Sequence, residues 1–120
     1  MLRTLLLMPM LFLLMSIPGI GNTTDVQTLA SECHLISNHL YELKTDQSSA
    51  SCTYKLNMAG LYTKLAGDNL LTKHLNEVKQ YIRDALEFLR YSEKMPCEKL
   101  PEITQVKWDL VTVNKKVYEL

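Results

Sequence analysis

The chain contains a long amphipathic run, from Asp68 to Tyr91, whose apolar side has to be covered by another part of the protein. Apolar residues recur in this run at alternating steps of four and three: Leu71, Leu75, Val78, Ile82, Ala85 and Leu89. The spacing predicts a helix with one apolar face, because residues i, i+3, i+4 and i+7 share a face. Asp68 follows Gly67 at the position of an N-cap. An isolated helix is marginal in water, so other helices should pack against this one.

Two further segments have the same periodicity. The first, from Thr24 to Lys44, has its apolar face at Val26, Leu29, Cys33, Ile36, Leu40 and Leu43. The second, from Pro101 to Leu120, has its apolar face at Ile103, Val106, Leu110, Val113, Val117 and Leu120. Pro101 suits the first turn of a helix. Val and Thr are frequent in this last segment and leave a strand as the alternative, but the period-two alternation of a half-buried strand is absent.

A shorter second helix is predicted from Cys52 to Ala66, although Gly60 weakens it by about 1 kcal/mol relative to Ala. Its apolar face is predicted at Tyr54, Met58, Leu61 and Leu65. Gly67 fits a C-terminal stop, so the long helix follows at once and the two form an antiparallel hairpin. Four helices with matching apolar faces predict an all-α fold, a four-helix bundle.

The hairpin also predicts how the cysteines pair. Cys52 opens the second helix and Cys97 follows the third, so an antiparallel arrangement brings both to the same end. We therefore expect one disulfide, Cys52–Cys97, which closes a long loop. Cys33 lies on the apolar face of the first helix, and two interpretations stay open for it: a buried free thiol or an intermolecular disulfide.

Residues 1–21 are typical of a secretory signal peptide, with Arg3 before an apolar run at 5–15 and with the small residues Gly19 and Gly21 at the −3 and −1 positions of a cleavage site. The apolar run is shorter than the roughly 20 residues that a membrane-spanning helix needs. We therefore expect a secreted, extracellular protein whose mature domain, residues 22–120, is not inserted in a membrane.

Composition and motifs argue against several classes of function. Thirteen basic and thirteen acidic residues balance without a basic stripe, so no nucleic-acid partner is predicted. No catalytic motif is present, and His34, His39 and His74 are scattered, so we predict no enzyme, cofactor or metal site. Asn22 begins an Asn-Thr-Thr sequon and is a candidate glycosylation site.

Three segments carry a resemblance to a known family. They are LISN at 35–38, SCTYKLNM at 51–58 and CEKL at 97–100. The second resembles the start of the second helix in the interleukin-2/interleukin-15 family of short-chain cytokines, and the third resembles the junction before the last helix. The first resembles the stretch that contacts the shared β receptor chain. The separation of Cys52 and Cys97 is also similar to the disulfide of that family.

The resemblance implies a secreted cytokine that binds type I cytokine receptor chains, of the β and common γ types, and brings them together. Its contact surfaces would be faces of the first and last helices of a monomer. The candidate receptor-binding residues are Asn38, Glu42, Trp108, Lys116 and Tyr118. Two positions depart from the family: Asn38 stands where the family has an acidic residue, and the late glutamine that contacts the γ chain has no clear counterpart near Lys116.

The resemblance implies an up-up-down-down bundle with a long crossover after the first helix. Here the linker Thr45–Ser51 spans at most about 25 Å, whereas the first helix is about 30 Å long. Either the first helix ends near Leu40, or the topology is a plain up-down-up-down arrangement.

Other functions stay open. A secreted helical carrier of lipid or another apolar ligand is the main alternative, and a disulfide-linked dimer through Cys33 is a third. Phe88 and Trp108 lie off the apolar faces of their helices. They either widen the core or form exposed anchors in a partner interface, where aromatic residues are enriched.

Overall fold

The computed structural model of the protein describes residues 20–120, with side chains from residue 25 onward. This part of the chain is all-α and contains no strand. Its helices are α1 (Ile20–Thr45), α2 (Ala50–Leu71), α3 (Leu75–Glu93) and α4 (Leu100–Tyr118). The last segment is thus helical, as its periodicity predicts. Nearly all of the predicted signal peptide, and the side chain of Asn22, lie outside the described residues.

The helices form an up-down-up-down bundle. Short loops, residues 46–49, 72–74 and 94–99, join helices that pack side by side, and α4 packs back against α1. α1 and α4 are antiparallel, because His39 lies near Glu102 whereas Glu32 and Lys116 line one groove further along both helices. α1 continues to Thr45 rather than ending near Leu40, so the chain takes the plain arrangement and has no crossover.

The apolar faces of three helices are buried as their periodicity predicts. In α1, Val26 is half-buried and the other five predicted residues are buried. In α3, the buried residues include Val78, Ile82, Ala85 and Leu89. In α4, they are Ile103, Val106, Leu110, Val113 and Val117. Leu71 and Leu120 are exposed, because each lies at the end of a helix beyond the reach of its neighbours. Together these faces make one continuous core.

The boundary between α2 and α3 differs from the prediction. Gly67 does not end α2, and Asp68 is not an N-cap; both lie inside α2, which continues to Leu71. The chain turns at residues 72–74, where Lys73 has a φ of 62°. The Asp68 carboxylate instead pairs with His34 of α1, with 2.9 Å between Oδ1 and Nε2.

The buried face of α2 also differs from the prediction. Tyr54 and Leu61 are exposed, and the residues that face the core are Cys52, Leu56, Ala59, Gly60, Thr63, Ala66, Gly67 and Leu70. Most of these are small, which lets α1 approach closely. A Cβ atom at Gly60 would lie 2.9 Å from the Tyr41 ring, and one at Gly67 would lie 2.7 Å from His34. Leu56 and Leu70 are the large residues of this buried face, whereas Tyr54 and Leu61 turn outward.

One end of the bundle is fixed covalently and by hydrogen bonds between two loops. Cys52 and Cys97 form the predicted disulfide, with 5.7 Å between their Cα atoms. Beside it, the Gln47 side chain exchanges two hydrogen bonds with the backbone of Glu98, at 2.9 and 2.8 Å. The Glu98 carboxylate in turn accepts hydrogen bonds from the backbone N–H and hydroxyl of Ser48. The loops 46–49 and 94–99 are thus held together.

Cys33 is free and fully buried in α1. Burial, and secondarily the charge of Glu32, raises the pKa of its thiol to about 12. The thiol has no access to another molecule in this fold, which matches the interpretation as a buried free thiol and not an intermolecular disulfide.

Candidate functional site

Each of the three described histidines lies close to one polar side chain. His34 contacts Asp68, His39 lies 3.7 Å from Glu102, and the His74 ring hydrogen-bonds the Thr72 hydroxyl. Across residues 25–120, no three His, Cys, Asp or Glu side chains lie close enough to hold a metal ion. None of the described helices is both long and apolar enough to cross a membrane. The exposed faces of the bundle are therefore the candidate functional sites.

The face formed by α1 and α4 exposes two large apolar side chains. Leu35 on α1 is 65% exposed and Trp108 on α4 is 55% exposed. Between the two helices lies a shallow groove of about 260 Å³, lined by Glu32, Leu35, Ile36, Asp109 and Thr112. Exposed aromatic and aliphatic side chains beside a groove are typical of protein–protein contact surfaces. We call this surface the α1–α4 face.

The α1–α4 face continues into a second groove of about 270 Å³ near the C-terminal end of α4. Its lining residues are Asp25, Thr28, Leu29, Glu32, Lys116, Glu119 and Leu120. Glu32 lines both grooves, so the two lie next to each other. Carboxylates outnumber ammonium groups along them, which gives the α1–α4 face a mostly acidic lining.

The Trp108 side chain is held by its neighbours. Lys107 Nζ lies 4.6 Å from the centre of the Trp108 ring and 2.9 Å from Glu93 Oε1 of α3. Thr104 donates a second hydrogen bond to Glu93, at 2.7 Å. Burial raises the pKa of Glu93, but the hydrogen bonds from Lys107 and Thr104 and the charge of Lys107 outweigh it, so the pKa lies below its usual value. A cation fixed over the indole restricts the ring before any partner binds.

Four of the five residues predicted to contact receptors are exposed on α1 and α4, two on each helix. Asn38 and Glu42 are exposed on α1 and follow Leu35 at helical spacing, so these three residues form one strip. Trp108 and Lys116 are exposed on α4, which lies beside α1. Tyr118 lies apart: it is 62% exposed, but Lys79 of α3 covers its ring at 4.6 Å.

A second surface, opposite the α1–α4 face, consists of aromatic side chains between α2 and α3. Tyr62 stacks on both Tyr81 and Phe88, with ring centres 6.0 and 5.9 Å apart, and Tyr54 meets Phe88 edge-on at 6.1 Å. Tyr91 lies near the end closest to the disulfide and is 50% exposed. We call this row of rings the aromatic seam. It is a surface feature, since none of these rings belongs to the buried core.

Two lysines cover the seam at the end closest to the disulfide. Lys55 Nζ lies 5.9 Å from the centre of the Tyr54 ring and 5.6 Å from that of Tyr91. Lys94 Nζ lies 5.9 Å from the centre of the Tyr91 ring. Ammonium groups at this distance are attracted to the faces of aromatic rings.

Sequence reasoning missed the seam because it placed Tyr54 in the core. The spacing of seven between Gly60 and Gly67, with Ala59, Thr63 and Ala66 beside them, indicates a narrow helix face suited to close packing. That pattern predicts that Tyr54 faces outward, next to the aromatic residues of α3.

Searches against protein-family models, curated proteins and solved structures found no match to this chain.

Proposed function

We propose that the protein is a secreted helical cytokine that binds type I cytokine receptor chains, of the β and common γ types, and brings them together. The observation that supports this most is that two neighbouring helices each expose a large apolar side chain, Leu35 on α1 and Trp108 on α4, and that Leu35 lines the groove between them. A Trp on an interface is among the side chains that contribute most to binding when a partner covers it. No catalysis is involved.

The charged residues around this pair would add specificity. Asn38 and Glu42 extend the contact along α1, and Lys116 is the one ammonium group among the carboxylates of the second groove. Charges at the rim of an interface mainly affect the rate of association and the choice of partner. The proposal requires only that α1 and α4 are neighbours, so it does not depend on the crossover implied by the resemblance.

The test is binding of the protein, expressed from its full sequence in a secretory host, to a panel of type I receptor ectodomains. We expect saturable binding to at least one β-type or γ-type chain. Trp108→Ala should weaken it at least tenfold, equivalent to about 1.4 kcal/mol. Leu71→Ala is the matched control, because Leu71 is a similarly exposed apolar residue at the end of α2.

Circular dichroism of each variant separates loss of binding from loss of fold. No binding across the panel by a helical, disulfide-bonded protein would refute the proposal. Equal effects of Trp108→Ala and Leu71→Ala would refute the assignment of the α1–α4 face. We make no proposal for a small-ligand carrier, because the grooves above lie on the surface and apolar side chains fill the space between the helices.

A further inference from the structure

We propose that the end of the aromatic seam next to the disulfide is a second docking surface, which binds a carboxylate-rich segment of a protein partner. The surface is defined by Tyr54, Lys55, Phe88, Tyr91 and Lys94. It lies on the side of the bundle opposite the α1–α4 face, so a partner bound here leaves that face free.

The rings supply the apolar part of this surface. Tyr54 is 55% exposed and Tyr91 is 50% exposed, and half-buried Phe88 lies in contact with Tyr54. Tyr side chains bring a large, rigid, amphipathic contact area at a low cost in conformational entropy. A partner side chain with an apolar body can therefore pack on the rings without reordering them.

The lysines supply the charge, and the structure leaves that charge unpaired. Within residues 25–120, neither Lys55 nor Lys94 has a carboxylate within 4.0 Å. Three other lysines are paired, Lys64 with Asp68, Lys99 with Asp46 and Lys107 with Glu93, whereas Lys55 and Lys94 lie over aromatic rings instead. The complementary partner group is an anion, and Asp and Glu side chains are the anions that a protein segment carries.

The two lysines that cover the rings lie at one end of the seam. Half-buried Asp84 and exposed Glu87 lie one to two turns further from the disulfide along α3. An acidic segment should therefore place its carboxylates over Lys55 and Lys94 and its apolar residues toward Phe88. This fixed orientation of the bound segment distinguishes specific binding from general attraction between opposite charges.

The surface is also rigid, which favours binding. The Cys52–Cys97 disulfide ties the start of α2 to the loop after α3. Ser49 caps α2 by accepting a hydrogen bond from the Cys52 N–H at 3.3 Å. A site that is already ordered loses less entropy when a partner binds.

The experiment is a titration of the isotope-labelled protein, followed by NMR, with a short synthetic peptide in which aspartates and glutamates flank one Phe. We expect saturable shift changes at Tyr54, Lys55, Tyr91 and Lys94 and none along the α1–α4 face. The same peptide with Asn and Gln in place of the acids should not bind. No binding of the acidic peptide, or shift changes spread over all faces, would overturn the proposal.

The variant Lys55→Gln/Lys94→Gln should weaken peptide binding by at least about fivefold, as expected for lost charge pairs at a partly exposed site. Lys73→Gln/Lys115→Gln is the matched control, since it removes the same net charge at exposed lysines outside the seam. Equal weakening by both double variants would overturn the proposal. Stronger binding of a sulfated oligosaccharide than of the peptide would also overturn it and indicate a polysaccharide site. The test needs no receptor, so its result is independent of the proposed cytokine function.

Discussion

Gly67 lies in the middle of α2, where α1 leaves no space for a side chain. A Cβ atom there would come within 2.7 Å of His34 Nε2 and 3.1 Å of the Ala30 carbonyl oxygen. The imidazole could rotate away, but the carbonyl belongs to the backbone of α1 and can move only if the whole helix shifts. The absence of a side chain at this position therefore sets the distance between α1 and α2.

We expect Gly67→Ala to lower the free energy of unfolding by about 1–2 kcal/mol. Overpacking a tight interface typically lowers stability by about 1–3 kcal/mol, and the better helix propensity of Ala offsets about 1 kcal/mol or less of this loss. Urea denaturation followed by circular dichroism measures the change. The result would contradict the packing described here if the variant were as stable as the parent protein or more stable.

Gly60→Ala is the natural control for this measurement. The three atoms nearest to a Cβ atom at Gly60 all belong to the Tyr41 ring, at 2.9, 3.1 and 3.3 Å. The ring is half-buried and can turn toward solvent, so the loss should be smaller than at Gly67.

At the level of helices, α3 and α4 are connected by an ion pair with little exposure to solvent. The Glu93 and Lys107 side chains are 22% and 16% exposed. The pKa of Glu93 lies below 4.5, its value in an unfolded chain. A carboxyl group with a lowered pKa contributes stability above the unfolded value, and the contribution is lost as the pH falls through the folded value.

We therefore expect Glu93→Gln to cost about 1 kcal/mol at neutral pH. The difference from the parent protein should shrink as the pH falls below 4.5, because the parent carboxyl then becomes protonated. Chemical denaturation at several pH values, followed by the fluorescence of Trp108, measures both quantities, and Trp108 is the one tryptophan in the sequence.

Glu87→Gln provides the comparison, since Glu87 is exposed on the same helix and forms no ion pair within residues 25–120. Its effect should stay within about 0.5 kcal/mol at any pH. If Glu93→Gln lowered the free energy of unfolding equally at every pH, the carboxylate charge would not be what connects the two helices.

The buried faces of α1, α3 and α4 could be predicted from the sequence, whereas that of α2 could not. α1, α3 and α4 each carry one face of large apolar residues, and that signal is local. α2 has Tyr54 and Leu61 on its exposed side and small residues toward α1. Its buried face depends on how closely another helix approaches, which is a tertiary property. The same applies to Gly67 and Asp68, whose local chemistry favours a helix boundary but whose contacts with α1 keep them inside α2.

For the whole molecule, the disulfide and the two loops beside it hold α2 and α3 together. The Cys52–Cys97 bond closes a loop with a sequence separation of 45. In the chain-entropy model, such a loop stabilises the folded state by about 4 kcal/mol.

We expect Cys52→Ser/Cys97→Ser to lose about 2–4 kcal/mol and to remain helical, because the hydrogen bonds between Gln47, Ser48 and Glu98 persist without the bond. Denaturation without reductant, compared with the parent protein, measures the loss. Cys33→Ser alone is the comparison for changing a cysteine that forms no bridge. An undiminished free energy of unfolding in the double variant would mean that the bond adds nothing to the folded state.

The candidate surfaces could be predicted only in part. Trp108 could be recognised as an anchor because it lies off the apolar face of α4. Whether it lies on a helix next to the one that carries Leu35 depends on the topology, and the sequence left two topologies open. The aromatic seam depends in addition on the rotation of α2, which its own periodicity does not reveal.

The up-down-up-down connectivity has a consequence for how the chain assembles. Three of the four main helix pairings join helices that follow one another along the chain, and the pairing of α1 with α4 is the one that joins distant segments. Proteins dominated by contacts between nearby residues fold fast, since little loop-closure entropy is lost before contacts form. Pairing Cys52 with Cys97 requires only the local α2–α3 hairpin, and the competing thiol of Cys33 is fully buried in α1 once the bundle has formed. The connectivity therefore favours the observed disulfide over a bridge to Cys33.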